Sequence, residues 1–390
     1  MMASRGQSAR LRPVLSLHDF EDAARKYLPR PLFGYIAGAA EDNRAYRHNA
    51  ASFADYALMT RVLIDVSQRL QQVELFGRTY ASPFGIAPMG INAIMGYRGD
   101  IAQARAAQAA DIPMVLSGSS LIPMEDVIRA APGTWFQAYV PGDVARIDGL
   151  IERVAAAGFA TLVVTVDTNV AANRENNVRT GFATPLRPSM RLAWDGVTRP
   201  SWLFGTFFRT LMRHGMPHFE NSFATRGAPI LSANVLRDFS ARDHLNWTHV
   251  ARIRARWTGH LVIKGILNPA DAIQARACGA DGIIVSNHGG RQLDGAVAPL
   301  RVLPQIVQAA PNLPVMLDGG VRRGTDVLIA LALGARAVFV GRPFAYAAAI
   351  GGEAGVAHGI KLLREEIDRN MAMVGLRNCG ELTLQHLVKC

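Results

Sequence analysis

Short runs of apolar, often β-branched residues recur along the chain, and each run ends in glycine, proline or polar residues. Eight of them predict strands, at Phe84–Ala87, Met114–Leu116, Trp135–Val140, Thr161–Val166, Leu261–Ile263, Gly282–Val285, Val315–Leu317 and Ala337–Val340. Stretches with helical periodicity, such as Asp100–Ala110 and Thr325–Leu333, lie between most of them. Because the runs are continuous rather than alternating, the strands are expected to be buried on both faces of a parallel sheet. The pattern predicts an α/β protein with a (β/α)8 TIM barrel, and an open doubly wound sheet is the alternative.

Chemically useful side chains follow nearly every predicted strand. In a (β/α)8 barrel the active site lies at the carboxyl ends of the strands, so these side chains are expected to meet at one mouth. The residues at the strand ends are Pro88, Ser117, Gln137, Tyr139, Thr165, Asp167, Lys264, His288, Asp318, Gly341 and Arg342.

The spacing of the strands is regular except after the fourth one, where a long gap predicts an insertion at about residues 175–240. The first eighty residues begin with helical patterns at Leu17–Tyr27 and Pro31–Ala40, which predict an N-terminal helical cap. We therefore expect one domain over residues 1–390, with a cap at 1–80 and the barrel at 81–380.

Composition narrows the functional classes. The chain has 390 residues, 49% of them hydrophobic, and a formal net charge of +11, which suits anionic partners. No zinc-finger spacing, RNP-like pattern or long basic run appears, so nucleic acid is not expected as a partner. The three cysteines form no CxxC pair, which argues against a metal site and for a reducing compartment. The basic N-terminus is not followed by an apolar signal core, and the apolar run Val327–Ala335 is too short to span a bilayer. A cytoplasmic protein is expected.

Two glycine- and arginine-containing segments follow the last two predicted strands. They are Asp318-Gly319-Gly320-Val321-Arg322-Arg323 and Gly341-Arg342-Pro343. Glycine allows backbone N–H groups to approach a phosphate, arginine binds it bidentately, and barrel phosphate sites are commonly built from these two loops. No Walker motif is present, so a mononucleotide cofactor is favoured over ATP. Two ordinary βα turns with surface arginines remain the alternative.

His288 lies in Ser-Asn-His-Gly-Gly-Arg at the end of the sixth strand. Histidine is a natural base near neutral pH, and Arg291 could hold an anionic substrate beside it, although a lone histidine is more often structural. Lys264 ends a buried strand and either faces an anionic group or reaches solvent. Asp167 either orients His288 or caps the next turn.

These segments resemble the FMN-dependent 2-hydroxy acid oxidases and dehydrogenases. The resemblance runs from about Leu28 to Leu382 and is carried by SNHGGRQLD, LDGGVRRGTDV and VGRP. It implies the same barrel fold, FMN as cofactor and a homotetramer. It also implies that His288 is the base, that Asp167 stabilises its imidazolium form, and that Arg291 and Arg174 bind the substrate carboxylate. Tyr139 would contact the substrate hydroxyl, and Tyr35 the carboxylate.

The resemblance also implies a flavin site. Backbone from three residues would lie against the ring, four side chains would make polar contacts, and Lys264 would stabilise the reduced flavin at its pyrimidine edge. The late-strand segments would hold the ribityl chain and phosphate. The implied flavin-binding residues are Pro88, Met89, Gly90, Ser117, Gln137, Thr165, Lys264, Ser286, Asp318, Gly319, Gly320, Arg322, Gly341 and Arg342.

The implied reaction is oxidation of an (S)-2-hydroxy acid to the 2-keto acid, with electrons passed to a quinone, a cytochrome or O2. Gly90 stands where oxidases of the family tend to carry alanine, which favours a dehydrogenase. Residues 185–226 carry six arginines against two acidic residues, which suits a peripheral contact with the inner face of the cell membrane. The aromatic residues interleaved with them are Trp194, Trp202, Phe204, Phe207, Phe208, Phe219 and Phe223. A solvated lid or an oligomer contact is the alternative.

Three departures from the family pattern bear on the substrate: Met89, Ser119 and Asn177. Ser119 stands where glycolate oxidases carry tryptophan, so a roomier pocket is expected and (S)-mandelate is the first choice. The alternatives are an L-lactate dehydrogenase and an O2-using 2-hydroxy acid oxidase. Two rivals of other classes are a barrel phosphate or FMN enzyme such as an isomerase, and a non-enzymatic basic protein that binds nucleic acid or lipid.

Overall fold

Eight parallel strands form a nearly closed barrel in the computed structural model, which describes residues 10–182, 189–232 and 242–390. These strands are β1 Phe84–Ile86, β2 Val115–Ser117, β3 Trp135–Tyr139, β4 Thr161–Thr165, β5 His260–Ile266, β6 Gly282–Val285, β7 Val315–Asp318 and β8 Ala337–Val340. They pair in the order β1-β8-β7-β6-β5-β4-β3-β2. A bridge between Ile86, in β1, and Met114, directly before β2, brings the two ends of the sheet together. The predicted TIM barrel is confirmed.

The helices around the barrel alternate with the strands, as the periodicity predicts. The last of them changes direction at Gly352, where φ is 56°. The helices are Asn92–Met95, Gly99–Ala109, Met124–Ala130, Val144–Ala156, Trp247–Arg256, Pro269–Ala277, Pro299–Ala309, Gly324–Ala332 and Arg342–Val374. Short 3-10 turns occur at His288–Gly290, Cys379–Glu381 and Leu384–His386.

The N-terminal cap contains the helices Asp19–Tyr27, Arg30–Ala37 and Arg44–Ala51, followed by a 3-10 turn at Ser52–Asp55. The first helix begins two residues later than predicted because the Asp19 carboxylate accepts hydrogen bonds from the N–H groups of Leu15 and Ser16, both 2.9 Å. Strand Tyr56–Leu58 pairs with the C-terminal strand Leu387–Lys389, so the two ends of the domain are joined.

The interior of the barrel is filled by alternate strand residues, including Val115, Val163 and Ile284. A hairpin of strands Val73–Leu75 and Arg78–Tyr80 packs its apolar residues into the same cluster. The Trp135 indole, at the start of β3, donates a hydrogen bond of 3.1 Å to the Tyr80 hydroxyl. The hairpin therefore closes the amino-terminal end of the barrel and leaves the carboxyl end for the site.

The segment after β4 contains helices Glu175–Thr180, Met190–Val197, Pro200–Trp202 and Arg209–His214, with a π-helical stretch at Leu203–Phe208. Four of its seven predicted interfacial aromatic residues are exposed: Trp194, Phe204, Phe207 and Phe208. The prediction is wrong for Trp202 and Phe219, which are buried. The Trp202 indole donates to the Ile94 carbonyl at 2.8 Å, so this ring fastens the segment to the barrel. Among the described residues, no helix is long and apolar enough to cross a membrane.

Candidate active site

The carboxyl ends of the strands surround one cavity, and most of the predicted site residues line it. Fifteen of them do so: Tyr35, Pro88, Met89, Gln137, Tyr139, Thr165, Lys264, His288, Arg291, Asp318, Gly319, Gly320, Arg322, Gly341 and Arg342. Five other predicted residues are not in this lining but lie against residues that are: Gly90, Ser117, Asp167, Arg174 and Ser286. Phe339, Val340 and the backbone of Gly289 complete parts of the wall.

His288 and Asp167 form a buried pair. The Nδ1 atom of His288 lies 2.9 Å from Oδ1 of Asp167. Burial lowers the pKa of His288, and this effect outweighs the opposite effect of Asp167. Burial alone would raise the pKa of Asp167, but the charge and hydrogen bond of His288 outweigh it, so the pKa is lowered. An ionised Asp167 accepts a hydrogen bond from the Nδ1–H group of His288, which leaves Nε2 as the basic atom.

The backbone around His288 is left-handed over three residues, with φ values of 57°, 65° and 76° at His288, Gly289 and Gly290. A positive φ is unfavourable for histidine, so the turn needs support from its neighbours. The Ser286 hydroxyl accepts from the N–H of His288 at 3.0 Å, and the Asn287 side chain accepts from the N–H of Gly290 at 3.0 Å. These bonds give Ser286 and Asn287 the role of shaping the turn that carries the base.

Gly265 places Asp167 against β5. A bulge shifts the β5–β6 register between Lys264 and Ile266, and Gly265 within it has φ 108°. A Cβ at this position would lie 2.8 Å from both Cβ and Cγ of Asp167. Only glycine combines this backbone conformation with so close an approach.

Lys264 is held by two partners at the bottom of the cavity. Its ammonium group donates to the Ser286 hydroxyl at 2.8 Å and lies 3.0 Å from Oδ2 of Asp318. The buried cation is therefore paired, as its position at the end of a buried strand requires. Ser286 contacts both Lys264 and the backbone of His288, so it connects the two predicted reactive groups.

Arg291 and Arg174 bring two guanidinium groups to the mouth. Nη1 of Arg291 donates to the carbonyls of Tyr35 at 2.7 Å and Gly38 at 2.6 Å, which ties the cap to the barrel. Nε of Arg174 donates to the Arg291 carbonyl at 3.2 Å, and its Nη2 donates to the Gln292 side chain at 2.7 Å. Burial, followed by the charge of Arg174, lowers the pKa of Arg291 to about 9. A bound carboxylate would relieve this repulsion between two cations.

Two tyrosines flank the base and the arginines. The Tyr139 ring centroid lies 6.3 Å from that of His288, and burial raises the pKa of Tyr139 to about 12. The Tyr35 ring is covered on one side by the Arg291 guanidinium at 4.9 Å and packs against Phe182 at 4.6 Å. Both phenol hydroxyls can donate hydrogen bonds.

Two buried polar atoms fit a heteroaromatic cofactor. Nε2 of Gln137 and Oγ1 of Thr165 have no hydrogen-bond partner among the described residues, and both side chains belong to the cavity lining. The Ser117 hydroxyl donates to Oε1 of Gln137 at 3.3 Å and orients that amide. A buried N–H donor and a buried hydroxyl without partners could form hydrogen bonds with the edge of a heteroaromatic ring that carries carbonyl and nitrogen groups.

The phosphate end of the cavity combines glycines with arginines. Gly319 and Gly320 have φ values of 122° and 88°, and a Cβ on Gly320 would lie 2.3 Å from the Asn49 carbonyl. Arg342 reaches the same region, and its Nε and Nη2 also donate to the carbonyls of Ile36 and Gly289 at 3.0 Å. The late-strand loops thus have the open backbone and the positive charge that a phosphate needs.

Sequence reasoning missed Asn49 and Gly265 and gave no role to Asn287. Asn287 is part of the SNHGG motif, which could have indicated a role, and Gly265 follows the predicted site lysine directly. Asn49 has no signal in the sequence, because its importance comes from contacts with Asn287 and Gly320, which lie far away in the chain.

The comparisons with known proteins agree with this site. Residues 24–389 match the model of a family described as FMN-dependent dehydrogenase. The chain belongs to the FMN-dependent dehydrogenase family. FMN is therefore its cofactor, and Gln137, Thr165 and the late-strand loops fit that group.

Three relatives show how far the similarity extends. The (S)-mandelate dehydrogenase of Pseudomonas putida is 37% identical over 376 residues, covering 96% of this chain and 94% of that protein. An L-lactate dehydrogenase of Caulobacter vibrioides is 41% identical over 379 residues, covering 95% and 96%. A crystal structure of (S)-mandelate dehydrogenase, described as a monotopic membrane protein, superposes with a TM-score of 0.88 at 36% identity, covering 97% of this chain and 100% of that one. The prediction of an FMN-dependent 2-hydroxy acid dehydrogenase family is confirmed.

Proposed function

We propose that this protein oxidises an (S)-2-hydroxy acid to the 2-keto acid and that (S)-mandelate or a similar aryl substrate is preferred. The observation that carries the proposal is the buried His288–Asp167 pair beside Arg291 and Arg174 at the mouth of the barrel. Arginines suit a carboxylate, and a histidine held by a carboxylate suits proton removal.

The side chains have separate tasks in this reaction. Arg291 and Arg174 hold the substrate carboxylate and so fix the orientation of the α-carbon. Nε2 of His288 accepts a proton from the substrate, and Asp167 stabilises the resulting imidazolium. Tyr139 donates a hydrogen bond to the substrate oxygen. FMN, when bound, would supply the acceptor for the two electrons and the second hydrogen that leave the substrate, and the positive charge of Lys264 would stabilise the negative charge that reduction adds.

His288→Gln tests the role of the base. The variant should retain FMN and its yellow colour but lose flavin reduction by substrate in anaerobic stopped-flow measurements. Glutamine cannot accept the proton, whereas the cavity around the flavin is unchanged. A variant that reduces its flavin at nearly the normal rate would exclude His288 as the base.

The substrate preference is supported by the surroundings of Ser119. A Cβ on Gly90 would lie 3.0 Å from the Ser119 Cβ and 3.2 Å from the Tyr35 hydroxyl, so small residues keep this wall open. The identity of 41% to an L-lactate dehydrogenase favours L-lactate as the second candidate. Anaerobic bleaching of the flavin by a panel of 2-hydroxy acids distinguishes the two, and faster bleaching by L-lactate than by (S)-mandelate would reverse the order.

For the acceptor, we propose a membrane quinone. Gly90 supports a dehydrogenase, because alanine at this position is typical of oxidases. The reduced enzyme should be recoloured quickly by a soluble quinone and slowly by air. Rapid recolouring in air would instead identify an O2-using oxidase.

We also propose peripheral contact with the inner face of the cell membrane through the segment that contains Trp194, Phe204 and Phe208. Their exposed fractions are 68%, 66% and 39%, and Arg191, Arg199 and Arg209 lie close to them in the sequence. Replacing these three rings by serine should release the protein from the membrane fraction. A matched control replaces Leu15, Val62 and Leu63, which are exposed apolar residues outside the segment. Equal membrane partition of both triple variants and the normal enzyme would contradict the proposal.

The proposed homotetramer is tested by light scattering of the same preparations.

A further inference from the structure

A second cavity with strong positive charge lies outside the active site. Its volume is about 740 Å³. Five arginines and His214 line it, with two carboxylates, Asp126 and Glu353. We call it the arginine pocket, defined by Arg10, Arg98, Arg105, Arg129, Arg209 and His214.

The carboxylates in the arginine pocket do not neutralise its cations. Asp126 is shared, with Oδ2 lying 3.1 Å from Arg98 and Oδ1 lying 3.3 Å from Arg129. Within residues 10–182, 189–232 and 242–390, Arg105 and Arg209 have no carboxylate within ion-pair distance. Excess positive charge in a concave site focuses the potential on an anion.

The cationic side chains on one wall are held in place. The Arg209 guanidinium stacks on the Tyr97 ring at 3.8 Å, and the Tyr97 hydroxyl lies 3.0 Å from Nε2 of His214. Nη1 of Arg98 lies 3.4 Å from the same His214 ring. Partial burial, followed by the charges of Arg98 and Arg213, lowers the pKa of His214. The wall is therefore an ordered set of donors around an uncompensated positive potential.

The pocket adjoins the exposed apolar segment. Gly205, Thr206 and Arg209 line the pocket. Phe204, Phe208 and Met212 belong to the same helical stretch, and their exposed fractions are 66%, 39% and 80%. A ligand with an anionic group in the pocket and hydrocarbon beside it would contact both the cationic side chains and the exposed apolar residues.

We propose that the arginine pocket binds the phosphate headgroup of an anionic phospholipid, with the acyl chains lying against Phe204, Phe208 and Met212. This inference rests on the proposed membrane contact. It adds a discrete site for one lipid headgroup to the general attraction between a basic segment and an anionic membrane. The phosphate oxygens would accept from Arg98 and Arg209, and His214 would close the site from the side.

Two single variants separate a pocket from diffuse charge. Arg209→Gln and Arg213→Gln each remove one positive charge from the helix Arg209–His214, but only Arg209 lines the pocket. For the FMN-bound enzyme and vesicles of phosphatidylglycerol in phosphatidylcholine, Arg213→Gln should weaken binding about fivefold, the ordinary effect of one charge near an anionic bilayer. Arg209→Gln should weaken it about thirtyfold, because direct hydrogen bonds are lost too. Equal losses of vesicle binding in the two variants would overturn the proposed headgroup site.

A monomeric lipid tests the pocket without a membrane. Dihexanoyl phosphatidylglycerol should raise the pKa of His214 in a histidine NMR titration, with the resonance assigned by His214→Gln. The shift should persist in Arg213→Gln and vanish in Arg209→Gln, and absorbance and turnover should be normal in both.

The outcomes also separate the pocket from membrane association as such. If this lipid does not shift the pKa of His214, the proposed headgroup site is overturned even when vesicles bind. If inorganic phosphate gives the full effect at the same concentration, the lipid is overturned as the source of the phosphate. If the lipid moves His214 but vesicles do not bind, the headgroup site stands and the proposed membrane contact fails.

Discussion

The side-chain amides of Asn49 and Asn287 are paired reciprocally, with two N–H to oxygen distances of 2.7 Å between the cap and the turn that carries His288. Asn49 is buried, and a Cβ on Gly319 would lie 3.2 Å from its Nδ2. The same oxygen of Asn287 also accepts from the N–H of Gly290. One amide pair therefore contacts both the turn that carries the base and the loop predicted to hold the cofactor phosphate.

Asn49→Asp should weaken FMN binding about tenfold and lower stability by about 1–3 kcal/mol, because a carboxylate cannot donate to Asn287 and leaves buried groups unpaired. Fluorescence titration of the apoprotein with FMN and urea unfolding measure the two effects. Asn370→Asp, which breaks a surface hydrogen bond to Thr325, is the control and should change neither. Normal FMN affinity in Asn49→Asp would show that the amide pair does not support the phosphate loop.

The rate of flavin reduction should be independent of pH between neutrality and the pKa of Arg291, about 9, and fall as the pH drops through the pKa of His288. Burial lowers that pKa below its ordinary value of 6.5, and the charge of Asp167 raises it again in part. Asp167→Asn should therefore move the acid limb to lower pH. It should also slow the reaction, because the imidazolium loses its counter-ion. Anaerobic stopped-flow profiles measure both effects, and an acid limb that moves to higher pH would contradict this role of Asp167.

Gly265→Ala should slow flavin reduction at least about tenfold, because the new methyl group would displace Asp167 from a position 2.8 Å away. It should also move the acid limb of the pH profile, which a purely structural loss would leave in place. Gly77→Ala is the matched control, since Gly77 also has a positive φ, 74°, but nothing lies within 4 Å of its Cβ position. Both positions have a positive φ, so each variant incurs a backbone cost, and the moved acid limb is the result specific to Asp167.

Asp100 should make stability depend on pH. Complete burial raises its pKa from 3.8 to about 7, and the smaller effects of Ser120 and Asn92 oppose this. The folded state then holds its proton more tightly than the unfolded state, so stability is greatest below the unfolded pKa. It falls as the pH rises toward 7, by at most about 4 kcal/mol.

Asp100→Asn should remove this loss. The variant should gain stability relative to the normal enzyme between pH 5 and about pH 8 in urea unfolding. Asp22→Asn, at a carboxylate on the surface, is the control. A difference between Asp100→Asn and the normal enzyme that stays constant over this range would contradict the raised pKa.

The sequence by itself determined a parallel sheet, because eight continuous apolar runs separated by helical stretches fit strands that are buried on both faces. Polar residues at nearly every strand end favoured a barrel over an open sheet, and the strand pairing confirms the barrel. Strand ends and motifs pointed to thirteen of the fifteen predicted residues in the cavity lining, because a closed barrel brings all strand ends to one mouth. The other two, Tyr35 and Met89, were implied only by the resemblance to the family.

The tertiary structure decided the contacts between residues that are distant in the sequence. Asn49 and Asn287 are 238 residues apart, and Arg98 and His214 are 116 apart, so no periodicity relates them. The positive φ of Gly265 has meaning only beside Asp167. The sequence also did not predict which aromatic residues are exposed. Trp202 and Phe208 lie in the same basic segment, but Trp202 is buried and donates a hydrogen bond to the Ile94 carbonyl, whereas Phe208 is exposed. The physical reason is that burial and electrostatic potential are set by all neighbours of a residue, most of which are distant in the chain.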